Sequence, residues 1–247
     1  MADYLTFLFL FAVFALVFLH GRKITVRHSR PVSRPNHFSI GKYTHLKDQR
    51  LDELEFVVFD TETTGLNPGQ GDELVQLGGI KVEQGRIDYD NTFELLVNPG
   101  FDIPPRSTLI HGITDDMVKS ACTPEEALEE FRSFVSESVL IAHCANFDME
   151  LLNGTRREIE NRFHNPVLDT MLLSFATEPD HFDLSLETLA EKYELEIWGR
   201  HTAIGDAAIT AEIFLKLLTP LSNTGITTLK HALDTCNKIS QRPEFSS

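Results

Sequence analysis

Cysteine is scarce in this 247-residue chain, and basic residues are scarce through most of it. The three cysteines, Cys122, Cys144 and Cys236, are odd in number and widely separated. They suggest neither a disulfide framework nor a C-x-x-C metal site, and a reducing compartment is the simpler setting. After residue 50 the chain carries 14 Lys and Arg against 35 Asp and Glu, whereas residues 1–50 carry 8 against 2. So acidic a body lacks the phosphate-neutralising surface of a general nucleic-acid binder, and any nucleic-acid chemistry must rely on local contacts or metal ions. No internal repeat of solenoid period is present. No basic patch or aromatic platform stands out to favour RNA over DNA. What is present is 42% hydrophobic residues, which excludes a disordered composition and suffices for one well-buried domain with appendages.

One long apolar run exists, Tyr4 to Leu19, uncharged and hydrophobic on all sides. Its 16 residues fall slightly under the ~17–25 that span hydrocarbon. Asp3 precedes it with no Lys or Arg, and no small-x-small cleavage site follows, so a secretory signal fits poorly. The expectation is a transmembrane anchor over residues 1–21, with the membrane as a partner. Arg22, Lys23, Arg27, Arg30 and Arg34 form a positive flank, which predicts a membrane-anchored, single-pass chain with its body cytoplasmic. Residues 22–53 read as a basic juxtamembrane linker, holding anionic headgroups or simply solvated.

Beyond it, Phe56 to Thr61 is rich in strand formers. "DELVQLGGIKV" and "IDYDNTFELLVNP" flank the turn signal "EQG", an antiparallel meander. "TPEEALEEFRSFVSE" has helical spacing, with Thr123 as N-cap and Pro124 in the first turn. A short apolar strand, "SVLIAH", precedes a helix from about Phe147, and "SLETLAEKY" and "GDAAITAEIFLKLL" read as two more. Three antiparallel strands leading into alternating helix and strand imply an α/β fold with a mixed sheet and helices on its faces.

The strand "VVFDTETTGL" stops on Asp60 and Glu62. Residues i and i+2 of a strand share a face, so the two carboxylates project side by side, repelling unless a cation lies between them. Mg²⁺ or Mn²⁺ suits such oxygen ligands. Taken alone, the pair reads rather as a turn-capping Asp and a solvated Glu. Asp148, just past the strand Val139 to Ala142, and Asp206, at the start of a later helix, each read alone as first-turn acids facing a helix dipole. His201 lies five residues before Asp206.

Taken together, "FVVFDTETTGL", "LIAHCANFDMELL" and "HTAIGDAAITAEIF" resemble the three motifs of the DEDDh (DnaQ-like) 3′→5′ exonuclease family, of ribonuclease-H-like fold. The likeness runs from about Phe56 to Leu218. "LLVNPGFDIPPRSTLIHGITDDMV", "LDTMLLS" and "LSLETLAEKYEL" agree with the intervening segments. Cys144 departs from the pattern, since the family often has Asn there.

The resemblance implies a five-stranded mixed sheet, three antiparallel strands then parallel ones, flanked by helices, with the exonuclease domain at 54–220 and a C-terminal tail at 221–247. It implies two Mg²⁺ (or Mn²⁺) ions, with Asp60, Glu62 and Asp206 on the first and Asp60 and Asp148 serving the second. His201 would be the general base, and the partners would be the 3′ ends of single-stranded DNA or RNA. Thr63, Thr64, Leu66, His111, Asn146 and Phe147 would contact substrate, with Leu66 as a wedge beside the terminal base. Asp169 reads as structural. Two alternatives remain, a proofreading polymerase subunit and a catalytically inactive nucleic-acid-binding module.

Overall fold

Phe56, Val57, Val58 and Phe59 are each at most 1% exposed, so their strand is covered on both faces. The computed structural model describes residues 38–154, 162–180 and 183–245. This strand, β1 (Glu55–Thr63), lies at the centre of a five-stranded sheet. Its antiparallel neighbour is β2 (Leu74–Glu83), followed outward by antiparallel β3 (Arg86–Leu96). On the other side run β4 (Val139–Ala142), parallel to β1, and β5 (Val167–Asp169), parallel to β4. The expected mixed sheet, three antiparallel strands then parallel ones, is the observed one. Gln84 and Gly85 join β2 to β3 as a two-residue turn with φ of 51° and 70°. Both positions need the left-handed region, which explains the glycine.

Among the described residues the α-helices in chain order are α1 (Pro105–His111), α2 (Asp115–Val118), α3 (Pro124–Val135), α4 (Ala145–Asn153), α5 (Thr170–Thr177), α6 (Leu186–Lys192), α7 (Ala203–Asn223) and α8 (Leu229–Ser240). Alternation along β1 directs Phe56 to Phe214 of α7, ring centroids 4.9 Å apart, and Phe59 to Phe131 of α3, 5.6 Å apart. The sheet is therefore held between these helices, and the even-numbered residues of β1, including Asp60 and Glu62, share the face toward α7. Thr123 caps α3 as the sequence predicts, in a capping box: Glu126 N–H donates to its hydroxyl, and its own N–H donates to Glu126 at 2.8 Å.

Residues 38–53 and the stretch after residue 220 meet. Leu51 N–H donates to Thr227 O at 3.0 Å, and Leu229 N–H donates to Gln49 O at 3.1 Å. Phe38, Tyr43, Leu51 and Leu54 are buried. So are Leu229, Ala232, Leu233, Cys236 and Ile239 of α8, which packs on α5 and β5.

The expected membrane-anchored, single-pass localisation with a cytoplasmic body is corrected here. Among the described residues no helix is long and apolar enough to cross a membrane. The run that prompted the expectation, within residues 1–21, lies outside the described residues. The longest described helix, α7, carries Asp206, Glu212 and Lys216 and buries its apolar side in the domain core.

Candidate metal centre

Asp60 pairs across the ladder with Gly78 of β2, and Glu62 pairs with Gln76. A Cβ at Gly78 would collide with the backbone of Ala203 and Ile204, so glycine there lets the first turn of α7 lie directly on the sheet. Gln76 Oε1 fixes that turn by accepting from Ala203 N–H at 3.0 Å. Three residues on, Asp206 faces the end of β1. The ligand oxygens of Asp60, Glu62 and Asp206 all lie within 4.8 Å of one another.

Asp148 reaches the same region from the first turn of α4, which follows β4 at the carboxyl ends of the parallel strands. Its Oδ1 accepts from the Thr61 hydroxyl at 2.7 Å. Asp169 sets the entry to α4: it accepts from Ala145 N–H at 2.9 Å and Cys144 N–H at 3.3 Å while capping α5 through Met171 N–H at 2.9 Å. One buried carboxylate thus ties β5 to both helices, in keeping with the structural role read from sequence. Cys144 lies between them with φ of 64°, a left-handed conformation that Asn tolerates better than most residues.

Burial of like charges dominates the electrostatics. Asp60 is raised well above the ordinary carboxylate range, first by burial and then by Asp148, Asp206 and Glu62. Glu62 and Asp148 are each pushed up to about 7, mainly by burial. Asp206 is also raised by burial, against the pull of Arg200. Acids of this kind are held ionised at neutral pH only by nearby positive charge. The Oδ1 atom of Asp206 is buried with no hydrogen-bond partner, an acceptor left for a cation. The all-oxygen donor set fits a hard divalent ion.

The loop before α7 carries His201 in a left-handed conformation, φ 62°. His201 is half-buried, and burial followed by Arg200 lowers its pKa, leaving the imidazole neutral near pH 7 and able to accept a proton. Sequence reasoning missed Arg200. Its Nη1 donates to Asp206 Oδ2, and its Nε donates to Glu187 of α6 at 2.7 Å. The available signal was a basic residue next to His201 in an otherwise acidic body.

The remaining expected contacts are more scattered. The Thr63 hydroxyl donates to Gly65 O at 2.7 Å and the Thr64 hydroxyl to Asp72 at 3.2 Å, so both are engaged in shaping the turn after β1. Leu66 is 74% exposed on that turn. His111 is buried at the end of α1: its Nδ1 accepts from Ile113 N–H at 3.0 Å, and its Nε2 has no partner. It lines a cleft of about 420 Å³ with Gln76, Glu94, Leu96, Met117 and Thr202. Asn146 is exposed, and Phe147 is half-buried against the core.

Comparison with known proteins places this geometry. The RNase_T family model, described as Exonuclease, matches residues 57–214. A DNA polymerase III subunit epsilon-like protein of Rhodobacter capsulatus is 44% identical over 203 residues, 80% of this chain and 28% of that protein. The chain thus spans well under two thirds of that relative's length. The DNA polymerase III subunit epsilon of Aquifex aeolicus is 36% identical over 181 residues, 73% of this chain and 88% of that one. Among solved structures, Exonuclease X in complex with 5′ overhanging duplex DNA superimposes with a TM-score of 0.59 at 26% identity, over 74% of this chain and 99% of that one. E. coli Exonuclease I with a dT13 oligonucleotide gives 0.59 at 17% identity, over 70% of this chain and 43% of that one, a likeness of fold alone.

Proposed function

This chain belongs to the RNase_T exonuclease family, and on that premise we propose that it is a metal-dependent 3′→5′ exonuclease of the DEDDh type, removing nucleoside 5′-monophosphates from the 3′ ends of single-stranded DNA or RNA. The reading rests on the convergence of Asp60, Glu62 and Asp206 within 4.8 Å, with one oxygen of Asp206 buried and partnerless. The catalytic domain would comprise residues 54–220.

Asp60, Glu62 and Asp206 would hold one Mg²⁺ or Mn²⁺ ion, and Asp60 with Asp148 a second. Bound there, such ions supply charge stabilisation to a phosphodiester and acidify an attacking water. The chain's own part is positional and acid–base. Thr61 orients the Asp148 carboxylate through its 2.7 Å hydrogen bond. His201, neutral at its lowered pKa, takes the proton of the attacking water on an imidazole nitrogen. The turn at Thr63 and Thr64, with exposed Leu66 beside the base, would cradle the terminal nucleotide, and His111, Asn146 and Phe147 would supply further substrate contacts.

The Aquifex relative, covered over 88% of its length, favours a second reading, a proofreading subunit. Faster removal of a mispaired than a paired 3′ terminus would favour it. The primary test uses the full chain with oligonucleotides labelled at one end. Stepwise shortening from the 3′ end with nucleoside 5′-monophosphate release is expected. Release from the 5′ end would reject the direction, and binding without hydrolysis would leave an inactive nucleic-acid-binding module.

A further inference from the structure

Trp198 is the single tryptophan of the chain and is 76% exposed. It stands three residues before His201, within about 11 Å of backbone, on a segment tied down immediately after it. The Gly199 carbonyl accepts from Thr202 N–H at 3.0 Å and from the Thr202 hydroxyl at 2.6 Å. Gly199 itself adopts φ of 66°, and a Cβ at Gly205 would strike its carbonyl, so it packs against the first turn of α7. Arg200 is anchored to both Asp206 and Glu187. The indole of Trp198 is oriented too, its Nε1–H donating to Glu196 at 3.2 Å. Among the described residues no other ring or cation covers its faces.

A large apolar ring held at the rim of an acidic site has one suitable occupant here. Phosphate is disfavoured beside Glu196, and a base inside a duplex is already stacked. An unpaired base presents a flat, uncharged π-face that the acidic surroundings do not repel. Stacking is moreover the source of affinity open to a body too acidic to neutralise a run of phosphates. We propose that Trp198 is a stacking platform for an unpaired base near the 3′ end of a bound single strand, a specificity-determining contact for single-stranded substrate. The inference rests on the nuclease reading above.

The ring reports on itself, because all tryptophan emission comes from it. The full chain, with Ca²⁺ in place of Mg²⁺, is titrated with labelled oligothymidylate and oligouridylate while label anisotropy and indole emission are followed together. Saturable quenching that tracks the anisotropy is expected with both, since the base face is common to DNA and RNA. An abasic substitution should abolish quenching at one position close to the 3′ end and spare it further away. Trp198→Ala should weaken binding about 5- to 150-fold, a span typical of one stacked base, with Trp198→Phe retaining most of the affinity. Anisotropy saturation with unchanged indole emission, or quenching insensitive to every abasic position, overturns this inference and leaves the nuclease reading standing. If neither oligonucleotide binds or is cut under any divalent ion, the nuclease reading falls and this inference with it.

Discussion

Arg200 and Asp206 form an ion pair at the acidic cluster: the guanidinium engages one carboxylate oxygen, Oδ2, while the other, Oδ1, is buried without a partner. The same guanidinium holds Glu187 of α6. Arg200 is thus both a stay between two helices and a positive charge beside the buried acids, one that repels any metal taking the free oxygen of Asp206.

Opposite effects on stability and metal affinity follow for Arg200→Ala. Losing the guanidinium leaves Asp206 as a less compensated buried acid, and the metal-free chain should lose about 1–3 kcal/mol of stability at pH 8. Divalent-ion affinity should rise, because the repelling guanidinium charge beside Asp206 is gone. Thermal unfolding and titration calorimetry read the two quantities, and a parallel fall in both would contradict the repulsion.

The raised acids set the pH dependence of the metal-free protein. Asp60 is raised, and Glu62 and Asp148 lie at about 7, so each binds its proton more tightly folded than unfolded. Their contribution to stability is complete below the ordinary carboxylate range near pH 4 and is lost as pH rises through about 7. In chelator the Tm should fall between pH 5 and pH 8, and Mg²⁺ should raise it far more at pH 8 than at pH 5. A Tm that climbs over this interval in chelator would contradict the assignment.

Cys144 adopts φ of 64°, a conformation costing a non-glycine residue roughly 1 kcal/mol, less for Asn. Cys144→Asn should therefore stabilise the chain by about 0.5 kcal/mol in urea unfolding and leave hydrolysis intact. Destabilisation beyond 1 kcal/mol, on the scale of that conformational cost, would mean that the thiol contact with Met171 Sδ at 3.3 Å outweighs backbone preference.

Much of this architecture was legible in the chain. The strand formers from Phe56 to Thr61 marked β1, "EQG" marked the β2–β3 turn, and Thr123-Pro124 marked the start of α3. What escaped was short or tertiary. β5 has three residues and α1 has seven, too few for a periodic signal. α8 has a clear apolar face, but its burial depends on β5, α5 and the chain around Gln49. The D-x-E spacing put two carboxylates side by side, yet their meeting with Asp206 depends on Gly78 allowing α7 onto the sheet. Arg200 carried only the weak signal of a basic residue beside His201, because its role lies in two partners, 6 and 13 residues away. The localisation was expected from the apolar N-terminal run and its positive flank, both of which lie outside the described residues; none of the described helices is long and apolar enough to cross a membrane.

Base and ligand should separate by mutation. His201→Ala removes proton transfer, typically worth ~10²–10⁴ in rate, but no carboxylate, so calorimetric metal affinity should stay near wild type. Asp60→Ala should lose both turnover and metal affinity. Full turnover by His201→Ala across neutral pH would exclude it as the base.

On the proposed mechanism the carboxylate cluster works through bound divalent ions, and the decisive measurement is turnover of a 3′-labelled oligonucleotide by the full chain in chelator. Hydrolysis should stop in EDTA and return when Mg²⁺ or Mn²⁺ is added in excess. Undiminished hydrolysis in EDTA would exclude a catalytic role for divalent ions at the cluster.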